Sequence, residues 1–250
     1  MTASRIDRRA PVLDVAGARL RVGADETAFA LDLASLRLEP GELLAVTGPS
    51  GCGKSTLLEF LALLTRPAAV DRFVLNCGTD GPCDHAAALN AGHLNALARL
   101  RAGPLGYVPQ SGGVLPFLSA RAHADAGLWL AGLARNKEAR SRFDRMTDAL
   151  ELGPHMGKTR EQLSGGQRKR VSLLAGVSVP RCLLLADEPT SGLDDRTGEL
   201  ALDLLAGLAT AEGTVVVIAT HDAAAARRAG FTVRPLSAGT FNHAPAGAAL

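Results

Sequence analysis

The sequence predicts an α/β protein with a mixed β core, an antiparallel β-subdomain and an inserted helical lobe. Apolar runs without alternation at 43–47, 183–186 and 214–219 are typical of parallel strands that are covered on both faces. Alternating apolar and polar residues over 12–38 favour two or three antiparallel strands. Apolar residues at helical spacing between 119 and 152 predict the helices of the lobe.

The other elements are predicted from residues that typically start or end helices and strands. Before the lobe we expect, in order, a turn at 23–26, a Pro40-Gly41 break, a strand at 43–47, a helix ended by Thr65-Arg66-Pro67, a strand at 73–75, a turn at 76–83, a helix over 85–101 and a strand at 105–109 that ends at Gln110. After it we expect a stop at Gly153-Pro154, a helix from Ser164, a strand from Leu183, a helix near Asp195 and a strand at 214–219. The predicted domain covers 1–240, with a helical subdomain near 111–163 and a frayed tail at 241–250.

Length, charge and hydropathy limit the classes of protein. A chain of 250 residues can bury one large core, and its formal net charge of +2 gives no reason to expect nucleic acid as a partner. The apolar runs are interrupted before the roughly 18 residues that a membrane span needs, and no apolar segment follows residues 1–9 as a secretory signal requires. We therefore expect a cytoplasmic protein, either soluble or peripheral to a membrane.

A glycine-rich loop lies between the apolar strand at 43–47 and a helical pattern. Its residues are Gly48, Pro49, Ser50, Gly51, Cys52, Gly53, Lys54, Ser55 and Thr56. Strand, loop and helix in this order are the context of a phosphate-binding P-loop, in which backbone N–H groups and the helix N-terminus surround phosphate oxygens. Lys54 is expected to reach the β/γ-phosphates, Ser55 to hold Mg²⁺ and Thr56 to lie beside the α-phosphate. The flanking strand and helix disfavour a chance glycine-rich turn.

The cysteines show no spacing that is typical of a metal site. They are Cys52, Cys77, Cys83 and Cys182. We expect isolated reduced thiols, with a metal site as the less favoured alternative. Because Cys52 lies inside the P-loop, modification of its thiol is expected to impair nucleotide binding.

Five more motifs follow in the order found in ATP-binding-cassette (ABC) ATPases, and the chain resembles that family over residues 12–240. The matching motifs are the Q-loop at Gln110, the signature at Leu163-Ser164-Gly165-Gly166-Gln167, Walker B at 183–188, the D-loop at Ser191-Gly192-Leu193-Asp194 and the switch histidine at Thr220-His221-Asp222. Within the family the chain is most similar to lipoprotein-release and macrolide-efflux ATPases.

Two adjacent acidic residues carry the hydrolytic chemistry in this interpretation. Asp187 ends a buried apolar strand, where a carboxylate needs a cation partner such as Mg²⁺. Glu188 suits a general base that polarises the attacking water. The resemblance adds His221 as a sensor of the γ-phosphate and Gln110 as a hinge that touches Mg²⁺ and water. Without it, a surface Asp-Glu pair and a structural histidine would stay open as alternatives.

The signature residues are expected to act on a second subunit. Ser164, Gly165, Gly166 and Gln167 open a helix with a hydroxyl and free N–H groups directed outward. The resemblance implies that these groups bind the γ-phosphate of ATP on a paired subunit, identical or different, so that two ATP molecules lie between the subunits. A simple N-cap is the alternative. We interpret the adjoining Arg168-Lys169-Arg170 as a solvated helix face rather than a nucleic-acid site.

Two positions depart from the family pattern. The family stacks the adenine on an aromatic side chain in the first β-hairpin, but 19–26 contains none and Phe29 is the only aromatic residue before the P-loop. The family also commonly has an arginine where this chain has Ala175. The sequence therefore predicts phosphate binding without a recognisable residue for base stacking.

The resemblance implies an ATPase that powers a separate membrane permease from the cytoplasmic face of the membrane. A soluble cassette ATPase, for example one that acts in iron–sulfur cluster assembly, is the alternative. A catalytically inactive binding module is disfavoured because Lys54, Asp187, Glu188 and His221 are all present. The apolar segment 114–118, directly after the Q-loop, is predicted to be the docking socket for a short helix of the permease.

Overall fold

The computed structural model describes residues 10–22, 28–77, 81–237 and 239–243. Within these ranges the strands form two five-stranded sheets. One sheet is largely antiparallel and the other is parallel, with helices packed against them. The predicted α/β class with an antiparallel β-subdomain is confirmed.

The antiparallel sheet is built around one long hairpin. It contains β1 (Leu13–Val22), β2 (Phe29–Leu38), β4 (Arg72–Leu75), β5 (Cys83–Asp84) and β10 (Thr240–His243) in the order β10-β2-β1-β4-β5. Strands β1 and β2 pair from Leu13–Leu38 to Val22–Phe29, and their leucines point into the core. The strand prediction over 12–38 is therefore confirmed for the described residues, while the predicted turn at 23–26 lies outside them.

The parallel sheet positions the functional loops. It contains β3 (Leu43–Thr47), β6 (Leu105–Val108), β7 (Leu183–Asp187), β8 (Val215–Ala219) and β9 (Thr232–Pro235) in the order β6-β7-β8-β3-β9. Along β7 and β8, successive side chains enter two different hydrophobic clusters. The apolar runs are thus covered on both faces, as predicted. Because the strands are parallel, the segments that follow β3, β6, β7 and β8 emerge at one edge of the sheet.

Helices cover the sheets and form the lobe. They are α1 (Lys54–Leu61), α2 (Ala86–Asn90), α3 (Ala98–Ala102), α4 (Ala120–Leu130), α5 (Lys137–Ala149), α6 (Gly165–Val177), α7 (Asp195–Glu212) and α8 (Ala223–Arg228). Helices α4 and α5 lie in the predicted helical lobe and pack on α6; its limits at 111–163 stay a prediction. Within the described parts of the chain, no helix combines the length and apolar character that a membrane span requires.

Three helix predictions are wrong in extent. Helix α1 ends at Leu61, before the predicted stop at Thr65-Arg66-Pro67, and Leu63 follows it with φ of 60°. The expected helix over 85–101 is interrupted because Gly92 adopts a left-handed conformation with φ of 73°. Helix α5 ends at Ala149, before the predicted stop at Gly153-Pro154, and Glu151 then turns the chain with φ of 52°. Because a non-glycine residue in the left-handed conformation cannot be recognised from its residue type, the sequence does not predict the end of α5.

The prediction of a frayed tail from residue 241 is wrong for 241–243. Strand β10 pairs with β2, and the side chains of Phe241 and His243 are buried. The Nε2 atom of His243 lies 2.5 Å from Oε1 of Glu42, which fastens the strand to the residue before β3. Residues 244–250 lie outside the described part of the chain.

The expectation of reduced thiols is wrong for two of the cysteines. Cys77 and Cys182 form a disulfide, with Cα atoms 5.7 Å apart and a sequence separation of 105 residues. The fold brings the segment after β4 beside the segment before β7, which no local spacing reveals. In the loop-entropy account, a disulfide that closes a loop of this size lowers the conformational entropy of the unfolded chain. The free energy of unfolding rises by about 4.7 kcal/mol as a result. Cys52 and Cys83 are free thiols.

Candidate nucleotide-binding site

The loops at the carboxyl edge of the parallel sheet enclose a cavity of about 380 Å³. It is lined by Val22, Gly48, Ser50, Gly51, Gly53, Lys54, Ser55, Thr56, Gln110, Asp187, Glu188, Ser191 and His221. The cavity thus joins the P-loop, the Q-loop, Walker B and the switch histidine. Pro49 and Cys52 complete the loop without lining it, and the signature residues do not line it.

The P-loop backbone requires its glycines. The φ angles of Gly48, Gly51 and Gly53 are 152°, 78° and 103°, in the region that L side chains rarely adopt. A Cβ atom on Gly48 would lie 2.8 Å from the carbonyl oxygen of Leu236, whereas one on Gly51 would meet no atom within 4 Å. The loop therefore packs on the fold at its start and faces open space at its centre.

Lys54 lies at the mouth of this loop. Its Nζ atom donates hydrogen bonds to the carbonyl oxygens of Gly48, at 2.8 Å, and Pro49, at 3.0 Å. Helix α1 begins at Lys54, and its N-cap residue Gly53 supplies no side-chain acceptor. Its first N–H groups are therefore available to an anion, and Ser55 and Thr56 lie in the same turn.

Walker B ends with two buried carboxylates. Asp187 is the last residue of β7, and Glu188 follows it with φ of 47°. The left-handed backbone conformation of a glutamate costs of order 1–3 kcal/mol. Here it is stabilised by a hydrogen bond from the N–H of Glu188 to the carbonyl oxygen of Ala219 at 2.9 Å. A solvated surface pair is therefore excluded for these two residues.

The switch histidine contacts Glu188. The Nδ1 atom of His221 lies 2.8 Å from Oε2 of Glu188, although the two residues are 33 positions apart. The imidazole is 72% exposed and the carboxylate is 11% exposed. The rest of the ring therefore faces the open cavity, and the contact fixes the orientation of a carboxylate that the sheet holds in place.

The Q-loop contacts a residue that the sequence pattern assigned to a solvated face. Lys169 is 4% exposed, and its Nζ donates to the carbonyl oxygens of Gln110, at 2.9 Å, and Asp187, at 3.1 Å. Burial lowers the pKa of Lys169 to about 8, against the opposing effect of the nearby Asp187 and Glu188 carboxylates. The prediction is wrong for Lys169 because its acceptors are main-chain carbonyls, which leave no mark in the sequence.

The family comparison decides what kind of nucleotide site this is. A family model described as "ABC transporter" matches residues 31–191, which is more than half of the chain. The chain belongs to the ABC transporter family. Its α/β fold and its ordered motifs are those of an ABC-type ATPase.

Individual ABC relatives agree with this assignment. The macrolide export ATP-binding/permease protein MacB of Marinobacter nauticus is 36% identical over 187 residues, which are 75% of this chain and 27% of MacB. The lipoprotein-releasing system ATP-binding protein LolD 1 of Rhodospirillum rubrum is 36% identical over 197 residues, 78% of this chain and 81% of that protein. The chain thus spans about three-tenths of the macrolide export relatives and most of the lipoprotein-release relative. The predicted resemblance to these two types is confirmed.

A solved ABC cassette has the same fold. The dimeric structure of MJ0796, a bacterial ABC transporter cassette, superimposes with a TM-score of 0.76 at 27% identity, covering 91% of this chain and 95% of that chain. A second dimeric structure of that cassette, in a post-hydrolysis state bound to ADP and Pi, gives a TM-score of 0.74. The ABC transporter ATP-binding protein MJ0796 of Methanocaldococcus jannaschii is 32% identical over 81% of this chain.

The ABC signature forms a complete N-cap on α6. The Oγ atom of Ser164 accepts from the N–H of Gln167 at 3.2 Å, and Oε1 of Gln167 accepts from the N–H of Ser164 at 3.0 Å. Ser164 and Gly165 are exposed, and Gly166 lies against the D-loop. The cap and an outward-facing anion site are compatible, because the cap leaves the first helical N–H groups unpaired.

Among the described residues that line the cavity, none offers an aromatic ring on which a base could stack. Among the described residues, the cavity lining includes no Phe, Tyr or Trp, and Val22 is its contribution from the first hairpin. Phe29 is 38% exposed and lies outside this lining. Val22 was not among the predicted site residues, because a valine at the end of a strand carries no chemical signal.

We expect weak discrimination between ATP and GTP. Stacking contributes about 1–3 kcal/mol per base where an aromatic side chain supplies it, so its loss leaves the triphosphate contacts dominant. Competition binding of the two nucleotides measures the ratio, with Phe29→Ala as the control that should leave both affinities unchanged. A preference for ATP above about a hundredfold, or about 2.8 kcal/mol, would contradict this expectation.

Proposed function

We propose that the chain binds and hydrolyses MgATP as the nucleotide-binding subunit of an ABC transporter and energises a separate membrane permease. The observation that carries the catalytic part is the Glu188–His221 contact beside Asp187 in the P-loop cavity. Glu188 polarises the attacking water, and His221 holds Glu188 in position and senses the γ-phosphate. A positioned general base of this kind accelerates hydrolysis by about 10²–10⁴-fold.

The donor set near the P-loop fits Mg²⁺. The hydroxyl of Ser55, the carboxylate of Asp187 and the amide of Gln110 line one cavity, and oxygen donors of these types are the ligands that Mg²⁺ prefers alongside substrate phosphates. Mg²⁺ held by these residues would neutralise part of the negative charge of the nucleotide phosphates. Lys54 and the first N–H groups of α1 bind the same phosphates, so that negative charge is balanced from several sides.

Two subunits complete each site in this proposal. Ser164, Gly165, Gly166 and Gln167 do not line the chain's own cavity, so the nucleotide that they bind is the one on a paired subunit. ATP then lies between the P-loop of one subunit and the signature of the other, and its hydrolysis separates them. The dimeric cassette structures of MJ0796 support pairing of two cassettes. The pair proposed here consists of two copies of this chain or of two different ATPase subunits.

The proposed transport function rests on the relatives. Their names include macrolide export, pyoverdine export and lipoprotein release. We infer that this chain lies on the cytoplasmic face of a membrane and works with an export or lipoprotein-release permease, and that nucleic acid is not its partner. A role in iron–sulfur cluster assembly has no support among these names.

The permease is proposed to dock beside the Q-loop. In the predicted socket at 114–118, Val114 is buried in the core, but Leu115 and Phe117 are 43% and 78% exposed. The segment directly before the socket helps to line a second cavity, of about 320 Å³, through Pro109 and Gly113, together with Ala175 of α6. Exposed apolar side chains on the segment that follows this cavity in the chain favour a partner segment, and Gln110 links this surface to the nucleotide.

We expect Phe117→Arg to detach the chain from its permease while its affinity for MgATP stays unchanged, because the added charge lies in the docking surface and outside the nucleotide cavity. The measurement is affinity purification of the tagged chain from detergent-solubilised membranes of the source cells. Leu130→Arg is the control, since Leu130 is as exposed as Phe117 but lies at the far end of α4.

Two results would count against the docking proposal. Membrane proteins recovered equally with Phe117→Arg and the parent chain would move the docking surface elsewhere. Recovery of the parent chain with a soluble assembly complex, and with no membrane protein, would reject the proposed transport function. It would favour the alternative, a soluble ATPase such as one that acts in iron–sulfur cluster assembly.

A further inference from the structure

We propose that Lys169 is a positioning residue for ATP hydrolysis: it fixes the backbone of the Q-loop and of Walker B relative to each other and to α6. The proposal rests on the roles proposed above for Gln110 and Asp187. Lys169 does not line the nucleotide cavity, so it acts through these two residues rather than on the substrate.

The ammonium of Lys169 bridges two segments that are far apart in the chain. Its Nζ donates to the carbonyl oxygens of Gln110 at 2.9 Å, Asp187 at 3.1 Å and Pro109 at 3.4 Å. An ammonium has three N–H donors and no acceptor, and these carbonyls offer one acceptor to each. A buried cation with every donor directed at main-chain oxygens holds those peptide groups in one arrangement.

The sheet does not join the peptide groups of the Q-loop to that of Asp187. The ladder between β6 and β7 ends at the pair Val108–Ala186. Beyond it, Pro109 has no N–H to donate, and Asp187 pairs with β8 rather than with the Q-loop. Lys169 therefore supplies the cross-connection at the place where the strand ladder stops and the metal-binding side chains begin.

The same contact joins the site to the signature helix. Lys169 lies on α6, whose N-cap is Ser164. The Q-loop turns directly over this helix at Gly112, where a Cβ atom would lie 3.6 Å from the Cα of Lys169. A shift of α6 relative to the sheet must therefore change the contacts of Lys169. Helix α6 is proposed to bind the nucleotide of the paired subunit at its N-terminus. Through Lys169, the same helix positions the Q-loop of its own chain.

The test compares two Lys169 variants and two control variants with the parent chain in steady-state MgATP hydrolysis, ATP binding and thermal unfolding. Lys169→Met keeps the length of the side chain and removes every donor. We expect its kcat to fall by about 10- to 100-fold, as for residues that orient metal-binding groups, while KM and ATP affinity stay near the parent values. Lys169→Gln retains two N–H donors and is expected to recover part of the lost kcat.

Arg142→Met is the structural control. Arg142 is also a buried cation that donates to a carbonyl of α6, but at the other end, to Val177 at 3.1 Å. We expect this variant to lower the melting temperature and to leave kcat unchanged below that temperature. An equal loss of kcat in Arg142→Met and Lys169→Met would overturn the proposal, because general loosening of α6 would then explain both.

Two other results would also overturn it. One is a folded Lys169→Met with the kcat of the parent. The other is an unfolded Lys169→Met together with a Lys169→Gln of parental kcat, which would reduce the lysine to a folding role. Glu188→Gln, assayed in parallel, separates this proposal from the catalytic assignment. An active Glu188→Gln rejects that assignment, whereas an inactive Glu188→Gln beside an active Lys169→Met rejects only the role of Lys169.

Discussion

Replacing Glu188 with glutamine is expected to lower kcat by about 10²–10⁴-fold and to leave MgATP binding intact. The amide has nearly the same size and can still accept a hydrogen bond from His221, so the geometry of the cavity is kept. It cannot accept a proton from water, so the hydrolytic step loses its base. Phosphate release under steady-state conditions measures the rate, and equilibrium titration with MgATP measures the affinity.

A stable ATP-bound dimer is the second consequence of Glu188→Gln. Pairing needs bound ATP and separation needs hydrolysis, so size-exclusion chromatography with MgATP should show a dimer that the parent chain forms only transiently. Glu151→Gln is the matched control, because Glu151 pairs with Arg196 and does not line the cavity. Turnover of Glu188→Gln at the parental rate would remove Glu188 from the mechanism.

Replacing Ser164 with aspartate is expected to abolish ATP-driven pairing and to lower kcat by about 10²–10³-fold, the usual effect of losing a preorganised donor to developing charge. Aspartate is as good an N-cap as serine, so α6 should still begin at the same residue. Its negative charge, however, repels the γ-phosphate of the nucleotide on the paired subunit. ATP binding to a single subunit should not change, because Ser164 does not line its own cavity.

Analytical ultracentrifugation with and without MgATP measures the pairing. Ser119→Asp is the control, since Ser119 caps α4 in the same way, accepting from the N–H of Ala122 at 3.2 Å. If Ser164→Asp pairs and hydrolyses ATP like the parent chain, the signature serine is a helix cap and nothing more. That result would restore the simpler alternative that the sequence left open.

The parts of the site that could be predicted are those whose residues are neighbours in the sequence. The P-loop can be read from nine neighbouring residues, because one strand, one turn and one helix N-terminus create the whole phosphate cradle. Asp187 was predicted as buried because four apolar residues precede it. Gln110 and His221 were different: their functional interpretation depended on the order of the family motifs, since a single glutamine or histidine after a strand has no distinctive spacing.

The contacts that could not be predicted join segments that are distant in the chain. His221 reaches Glu188 because β8 pairs with β7 in a register that places Asp187 opposite Ala219. Cys77 meets Cys182 across 105 residues because residues from the two sheets share one core, which brings the segment after β4 beside the segment before β7. Lys169 looked like one member of a solvated basic triplet, since helical spacing does not reveal that main-chain carbonyls lie above one face of a helix.

The sequence by itself determined the α/β class, and it predicted the phosphate-binding loop and the chemical types of group that we propose serve the nucleotide. These depend on hydrophobic periodicity and on glycines that permit one local backbone shape, and both act over a few residues. The tertiary structure decided which groups meet. It set the contact of Glu188 with His221 and kept Ser164 out of the nucleotide cavity of its own chain. It also set the hydrogen bonds of Lys169 to the Q-loop and to Asp187. Those depend on strand register and helix placement, which arise only when the whole core is buried.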